Sequence, residues 1–227
     1  MSDTSEKLQL KRGVMVEFDF AVLNGHQMLF DCLAKRLNKE DVTLDYGLVA
    51  RCLYGRTFSA GLNALAERLE KTIDVNGVVA DTNAAFTEAL RNGLDKVPAG
   101  FLEFIKEALA RDLRVVIVSR LEEDDLRGIF SGLDNGELFF YHDTASSFGS
   151  ISWDTLHRAV RRNSLFERLT LAVVASGYAA KNALTCGMGV MARPDKSTEY
   201  QDYSGCDRLI ADYAAQQVDD VLMILRA

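Results

Sequence analysis

From Gly13 onwards the sequence alternates short apolar runs, dense in valine, isoleucine and phenylalanine, with stretches whose apolar residues recur every three or four positions. Runs of the first kind suit buried strands, and the second suit amphipathic helices. Strand and helix taking turns is the pattern of a parallel sheet covered by helices on both faces, since each return to a parallel strand needs a long crossover. Strands are predicted at 13–20, 114–119, 137–141, 169–174, 188–192 and 208–210, and helices at 101–110, 122–130, 153–162, 179–186 and 216–225. The alternation is interrupted once. Between the first two strands, helical patterns follow one another at 27–37, 45–53, 59–71 and 81–92, with no strand-like run among them. Residues from about 26 to 93 are therefore expected to form a small all-helical domain inserted into the α/β one.

Composition narrows the function classes. A chain of 227 residues can bury a full core, and a net charge of −7 offers no basic surface for a nucleic acid backbone. No run approaches the roughly 18 to 20 apolar residues that span a bilayer, and Met1 to Glu6 lack the apolar core of a signal peptide, so a soluble cytoplasmic protein is expected. Cys32, Cys52, Cys186 and Cys206 have no close pairing and are read as free, mostly buried thiols. His26, His142 and His157 are not spaced as zinc ligands.

Chemistry concentrates on Val14-Met15-Val16-Glu17-Phe18-Asp19-Phe20. Residues two apart on a strand share a face, which would bring Glu17 and Asp19 together at the strand's C-terminal end, where open α/β sheets bind ligands. Two carboxylates there can serve as nucleophile, as an acid/base pair or as the start of a metal site.

The order of elements and several local stretches resemble the haloacid dehalogenase superfamily of phosphatases, dehalogenases and phosphoglucomutases. Glu17-Phe18-Asp19-Phe20 falls on that family's first motif, Asp-x-Asp-Gly, at the end of an apolar strand. Pro98 to Phe101 and the strand ending in Ser119 are similar to the stretch leading to its second motif. Ala183-Leu184-Thr185-Cys186-Gly187-Met188 is similar to the segment after its fourth, and Cys206-Asp207-Arg208-Leu209-Ile210 to its last-strand signature. The resemblance implies a Rossmann-like parallel sheet as core, residues 1–25 and 94–227, and a helical cap, residues 26–93.

It also implies roles. Glu17 stands where the family has its nucleophile and magnesium ligand, and Asp19 where it has the general acid/base. Ser119 and Arg120 follow the second strand, and Ser176 and Gly177 open a later helix; these four are expected to contact phosphate or another anion. Ser150 falls where the family carries a lysine, Ala175 where it carries a second magnesium-binding acid, and Phe20 where it carries glycine. With lysine and metal-binding acid both missing, a magnesium site at Glu17 and Asp19 would be weak at best. Two functions are expected. One is a catalytically impaired, phosphatase-like protein that binds a phosphorylated or anionic small molecule or a protein partner. The other is an active magnesium-dependent phosphohydrolase or phosphosugar mutase with Glu17 as nucleophile and Asp143, Asp154 or Glu199 recruited to the metal. His26 at the hinge into the cap is a further candidate contact, Arg56 reads as a surface residue and Trp153 as core or an element junction. The oligomeric state is left open by the sequence.

Overall fold

The computed structural model describes residues 11–133, 136–144 and 147–226, so Met1 to Glu6 lie outside the described residues. Six strands, β1 (Lys11–Glu17), β2 (Arg114–Ser119), β3 (Leu138–His142), β4 (Leu165–Val174), β5 (Gly189–Ala192) and β6 (Arg208–Leu209), form one sheet in the order β3-β2-β1-β4-β5-β6. Every pairing is parallel. β1 is central, with β2 on one side and β4 on the other, and this is where the strand order reverses. The crevice beyond the carboxyl ends of β1, β2 and β4 is the natural ligand position of such a sheet.

Strand periodicity divides the interior into two packed layers. Val14, Val16, Val115, Ile117, Leu171 and Val173 face one side, while Met15, Val116, Val118, Ala172 and Val174 face the other. The second face is covered by α7 (Trp153–Arg162) and α8 (Gly177–Thr185), through Leu156, Ala159, Val160, Ala179 and Ala183. The first face carries α5 (Ala99–Ala110) and α9 (Gln217–Ile224), whose Phe101, Phe104 and Val221 are fully buried. A short helix, α6 (Glu123–Arg127), follows β2.

Between β1 and α5 lie four helices and no strand: α1 (Gly25–Leu37), α2 (Tyr46–Cys52), α3 (Phe58–Leu69) and α4 (Val75–Arg91). Their stripes of Leu29, Leu33, Val49, Leu62, Leu65, Val78, Phe86 and Leu90 join the same apolar cluster as the first sheet face. Side-chain oxygens of Asp45, Thr57 and Asp74 cap the starts of α2, α3 and α4. The Asp74 cap corrects the sequence expectation for α4, which begins at Val75 and not at 81. Val75, Val78, Val79 and the poor helix former Gly77 had obscured a turn and a half of helix.

Two other expectations are resolved. Trp153 opens α7 at 45% exposure, stacked on His157 at 5.1 Å, so it marks an element junction outside the core. Only Cys52 of the four free thiols is fully buried; Cys32, Cys186 and Cys206 are half-buried. Among the described residues no helix is long and apolar enough to cross a membrane.

Phe18 closes the core directly behind β1. Its ring contacts those of Phe101 and Phe130, with centroids 6.0 and 6.1 Å away, and it has no exposure. Truncation to alanine empties a site hemmed by two helices and the sheet. Phe18→Ala is expected to lower stability by about 3 to 5 kcal/mol in urea unfolding.

Candidate functional site

β1 ends at Glu17, three residues earlier than the sequence pattern indicates, and the chain enters a π-helical turn, Phe18–Val22. The Leu23 N–H reaches back five residues to the Phe18 carbonyl at 3.3 Å. Asp19 is thus not a strand residue, and strand periodicity is not what unites the two acids. The wide turn swings Asp19 back over the end of the sheet, so that it lines the same crevice as Glu17. Both side chains are about 4% exposed.

Each carboxylate is held by the protein itself. The Glu17 Oε1 accepts the Ile151 N–H at 2.6 Å, and its Oε2 accepts the Ala175 N–H at 3.0 Å. The Asp19 Oδ1 accepts the Ser119 hydroxyl at 2.5 Å, and its Oδ2 accepts the Arg120 N–H at 2.9 Å. Ser119 Oγ in turn accepts from the Leu121 N–H at 3.0 Å, so its single proton is committed to Asp19. All four carboxylate oxygens therefore have a donor.

Burial pushes the Glu17 carboxyl up from 4.5 to about 7, against the pull of the Ala175 N–H, the nearby His26 and the Ile151 N–H. Burial likewise pushes Asp19 up from 3.8 to about 6, against the Ser119 hydroxyl and the N–H and charge of Arg120. Asp143 lines the crevice too and adds a further negative charge beside Asp19.

The cations around this pair face elsewhere. The Arg120 guanidinium donates to Asn83 Oδ1 on α4 at 2.9 Å and to the Ser147 carbonyl at 3.2 Å, with its carbon 5.3 Å from the centre of the Phe86 ring. His26, 1% exposed, places Nδ1 2.7 Å from Asp195 Oδ2 and Nε2 2.8 Å from the Gly149 carbonyl. Both ring nitrogens face oxygen acceptors, the hydrogen-bond pattern of an imidazolium. Burial opposes ionisation of Asp195, but the His26 contact outweighs it and holds that carboxyl below its usual range. Phe20 stacks against His26 at 4.6 Å and against Phe86 at 5.7 Å, filling the space between the two arms of the crevice. What remains has a volume of about 10 Å³, room for one water at most.

Glu17, Asp19, Ser119, Arg120 and Ser150 are thus brought together. Ser176 and Gly177 are not part of that crevice: the Ser176 hydroxyl caps α8 by accepting from Ala179 N–H, and the Gly177 N–H donates to Gln201 Oε1 at 2.8 Å. Asp154 pairs with Arg158 on α7, and Arg56 is exposed. Sequence reasoning missed Asp195, the Ile151 N–H and the closing role of Phe20. Backbone donors leave no trace in residue type, and nothing local marks Asp195 as the partner of a histidine 169 positions away.

No protein-family model and no curated protein matches the sequence. Solved structures do match. A putative β-phosphoglucomutase from Bacteroides vulgatus superposes with a TM-score of 0.70 at 15% identity, covering 98% of this chain and 93% of that one. β-Phosphoglucomutase from Clostridium difficile gives 0.71 at 8% identity, over 96% and 98%. CbbY from Rhodobacter sphaeroides, solved with phosphate, gives 0.64 at 12% identity, over 92% and 96%. The fold is the one these solved structures share.

The family resemblance carried by the sequence motifs raises the question of magnesium. The ion takes six oxygens in a near-ideal octahedron and keeps several waters. Here the carboxylate oxygens already accept four protein donors, the Ala175 side chain has no oxygen and its carbonyl accepts from the Thr198 and Tyr203 hydroxyls, and the crevice has space for one water. Among the described residues, no group of three or more His, Cys, Asp or Glu is arranged to hold a metal. The residues do not fit the ion, and no step is routed through one.

A carboxyl whose pKa rises on folding holds its proton where the unfolded chain has released it. The native state therefore binds more protons than the unfolded state between about pH 4 and 7, and stability falls as pH rises through that window. Urea unfolding should show the protein losing on the order of 3 kcal/mol between about pH 5 and pH 8 from these two groups. Asp19→Asn should shallow that slope; parallel slopes in the parent and the variant would contradict the assigned burial effect.

Proposed function

We propose that this chain is a haloacid dehalogenase-like protein that does not transfer phosphoryl groups and acts by binding an anionic small molecule. The observation that carries this is the saturation of the Glu17 and Asp19 carboxylates by Ile151, Ala175, Ser119 and Arg120. A nucleophile needs a lone pair aimed at phosphorus from about 3 to 3.5 Å, in a site that admits the phosphate. Both Glu17 oxygens are instead turned to the main chain. The single cavity beside them is smaller than a phosphate.

Charge supports the same reading. Phosphoryl transfer depends on neutralising the negative charge that gathers around the transferred group. The crevice is lined by Glu17, Asp19 and Asp143, while the Arg120 side chain is bound to Asn83 and Ser147, and His26 to Asp195. The cytoplasmic location and the division into a core and a cap over residues 26–93 belong to this proposal, with the cap held shut by the Arg120 and His26 contacts.

Incubation with an aryl phosphate and magnesium should release no phosphate above the buffer rate; release that is lost in Asp19→Asn would establish the active phosphohydrolase in its place. Joint replacement by Glu17→Asp, Ser150→Lys and Ala175→Asp should raise release at least about a hundredfold over the parent. A triple variant with native circular dichroism and no release would count against the alignment of these three positions with the family's motifs.

A further inference from the structure

A cavity larger than the carboxylate crevice lies elsewhere in the fold. It has a volume of about 460 Å³, within the range of small-molecule sites, and lies between Ala50 of α2, the outer side of α8 and the turn 200–204. Its walls are preformed. Gly177, the first residue of α8, lies so close to the turn that an added Cβ would stand 2.4 Å from the Asp202 carbonyl oxygen, and its N–H holds Gln201 Oε1. Tyr178 lies flat against Gly55, where an added Cβ would stand 2.3 Å from the ring, and is nearly parallel to Tyr54, with centroids 6.5 Å apart. That ring is fixed, yet 40% exposed; Tyr200 across the cavity is 60% exposed.

Polar groups stand on the same walls. The Lys181 ammonium makes no ion pair among the described residues, although its charge acts on Asp202. Gln201 must turn its oxygen to the Gly177 N–H, which leaves Nε2 shielded from water and without a hydrogen bond. The exposed Tyr200 phenol lies beside that amide, and its interaction with Gln201 opposes the upward push of burial on the phenol. Asp202 Oδ1 accepts from the Ser204 N–H and hydroxyl at 2.9 and 2.5 Å, and its side chain is exposed to solvent. Two exposed aromatic rings, a cation outside any ion pair among the described residues and a carboxylate thus line one preformed cavity, a set of groups that a ligand with an aromatic face, an anion and hydroxyls can match.

We propose that this cavity binds a nucleoside monophosphate, with the base against Tyr178 and Tyr200, the phosphate at Lys181 and the sugar hydroxyls at Asp202. Aromatic side chains stack any base, an ammonium binds phosphate as a point charge, and a carboxylate is the acceptor that a ribose diol suits. The proposal rests on the binding half of the function proposed above and not on the loss of turnover. An occupant would touch both α2 and α8, coupling the helical insertion to the sheet domain.

Calorimetric titration of the full chain with AMP is expected to give a saturable isotherm with a Kd below about 1 mM. Lys181→Ala and Tyr178→Ala should each weaken binding about tenfold, while Tyr178→Phe, which keeps the ring, should restore it. Adenosine and ribose 5-phosphate should each bind more weakly than AMP. No saturable heat overturns the proposal; so does AMP binding untouched by both alanine substitutions, which would put the nucleotide elsewhere. Ribose 5-phosphate binding as tightly as AMP overturns the nucleoside assignment. Phosphate released from AMP during the titration would overturn the non-catalytic reading while leaving the site intact, so the two failures are told apart.

Discussion

Two main-chain N–H groups, from Ile151 and Ala175, converge on the one buried carboxylate of Glu17. The side chain at the end of β1 is thereby tied to the end of β4 and to the loop that leads into α7, three segments more than a hundred residues apart in the chain at their extremes. Such a clasp is worth most where water is excluded, and Glu17 is 4% exposed. The same burial makes its charge expensive, which is why its carboxyl titrates near 7 despite the two donors. Asp19 repeats the arrangement one turn later with Ser119 and Arg120, tying the π-helical turn to β2.

These clasps bear on what the crevice can do. A sheet whose strand order reverses at β1 leaves a natural opening there, and in this chain the opening is filled from both sides. Phe20 stacks between His26 and Phe86, while Arg120 runs from the Asp19 clasp to Asn83 on α4. His26, from the start of α1, is bound to Asp195 and to Gly149 on the sheet side. The helical insertion is therefore joined to the sheet by buried polar contacts as well as by a shared apolar cluster. A fold can host many chemistries, and it is these local contacts, more than the fold, that speak to function.

The order of strands and helices, the insertion and the pairing of Glu17 with Asp19 were all legible in the sequence, because periodicity and spacing record which residues must face a core. The first turns of α4 were not legible, since valines and a glycine at its start look unlike a helix until the Asp74 cap is in place. Nor was the route by which the two acids meet. Strand alternation predicted it, yet the π-helical turn, with its five-residue hydrogen bond from Leu23 to Phe18, is what achieves it.

The sequence alone determined that residue 17 is a glutamate, that residue 150 is a serine and that residue 175 is an alanine with no carboxylate, since these are matters of residue identity. Only the tertiary structure decided what occupies their place: backbone N–H groups on Glu17, the Ser119 proton on Asp19, and Phe20 where a ligand would need room. It also moved the accessible space to the outer side of α8, among Tyr178, Lys181 and Tyr200. Backbone donors and cavities are properties of chain segments brought together over long distances, and they have no local signature in the order of side chains.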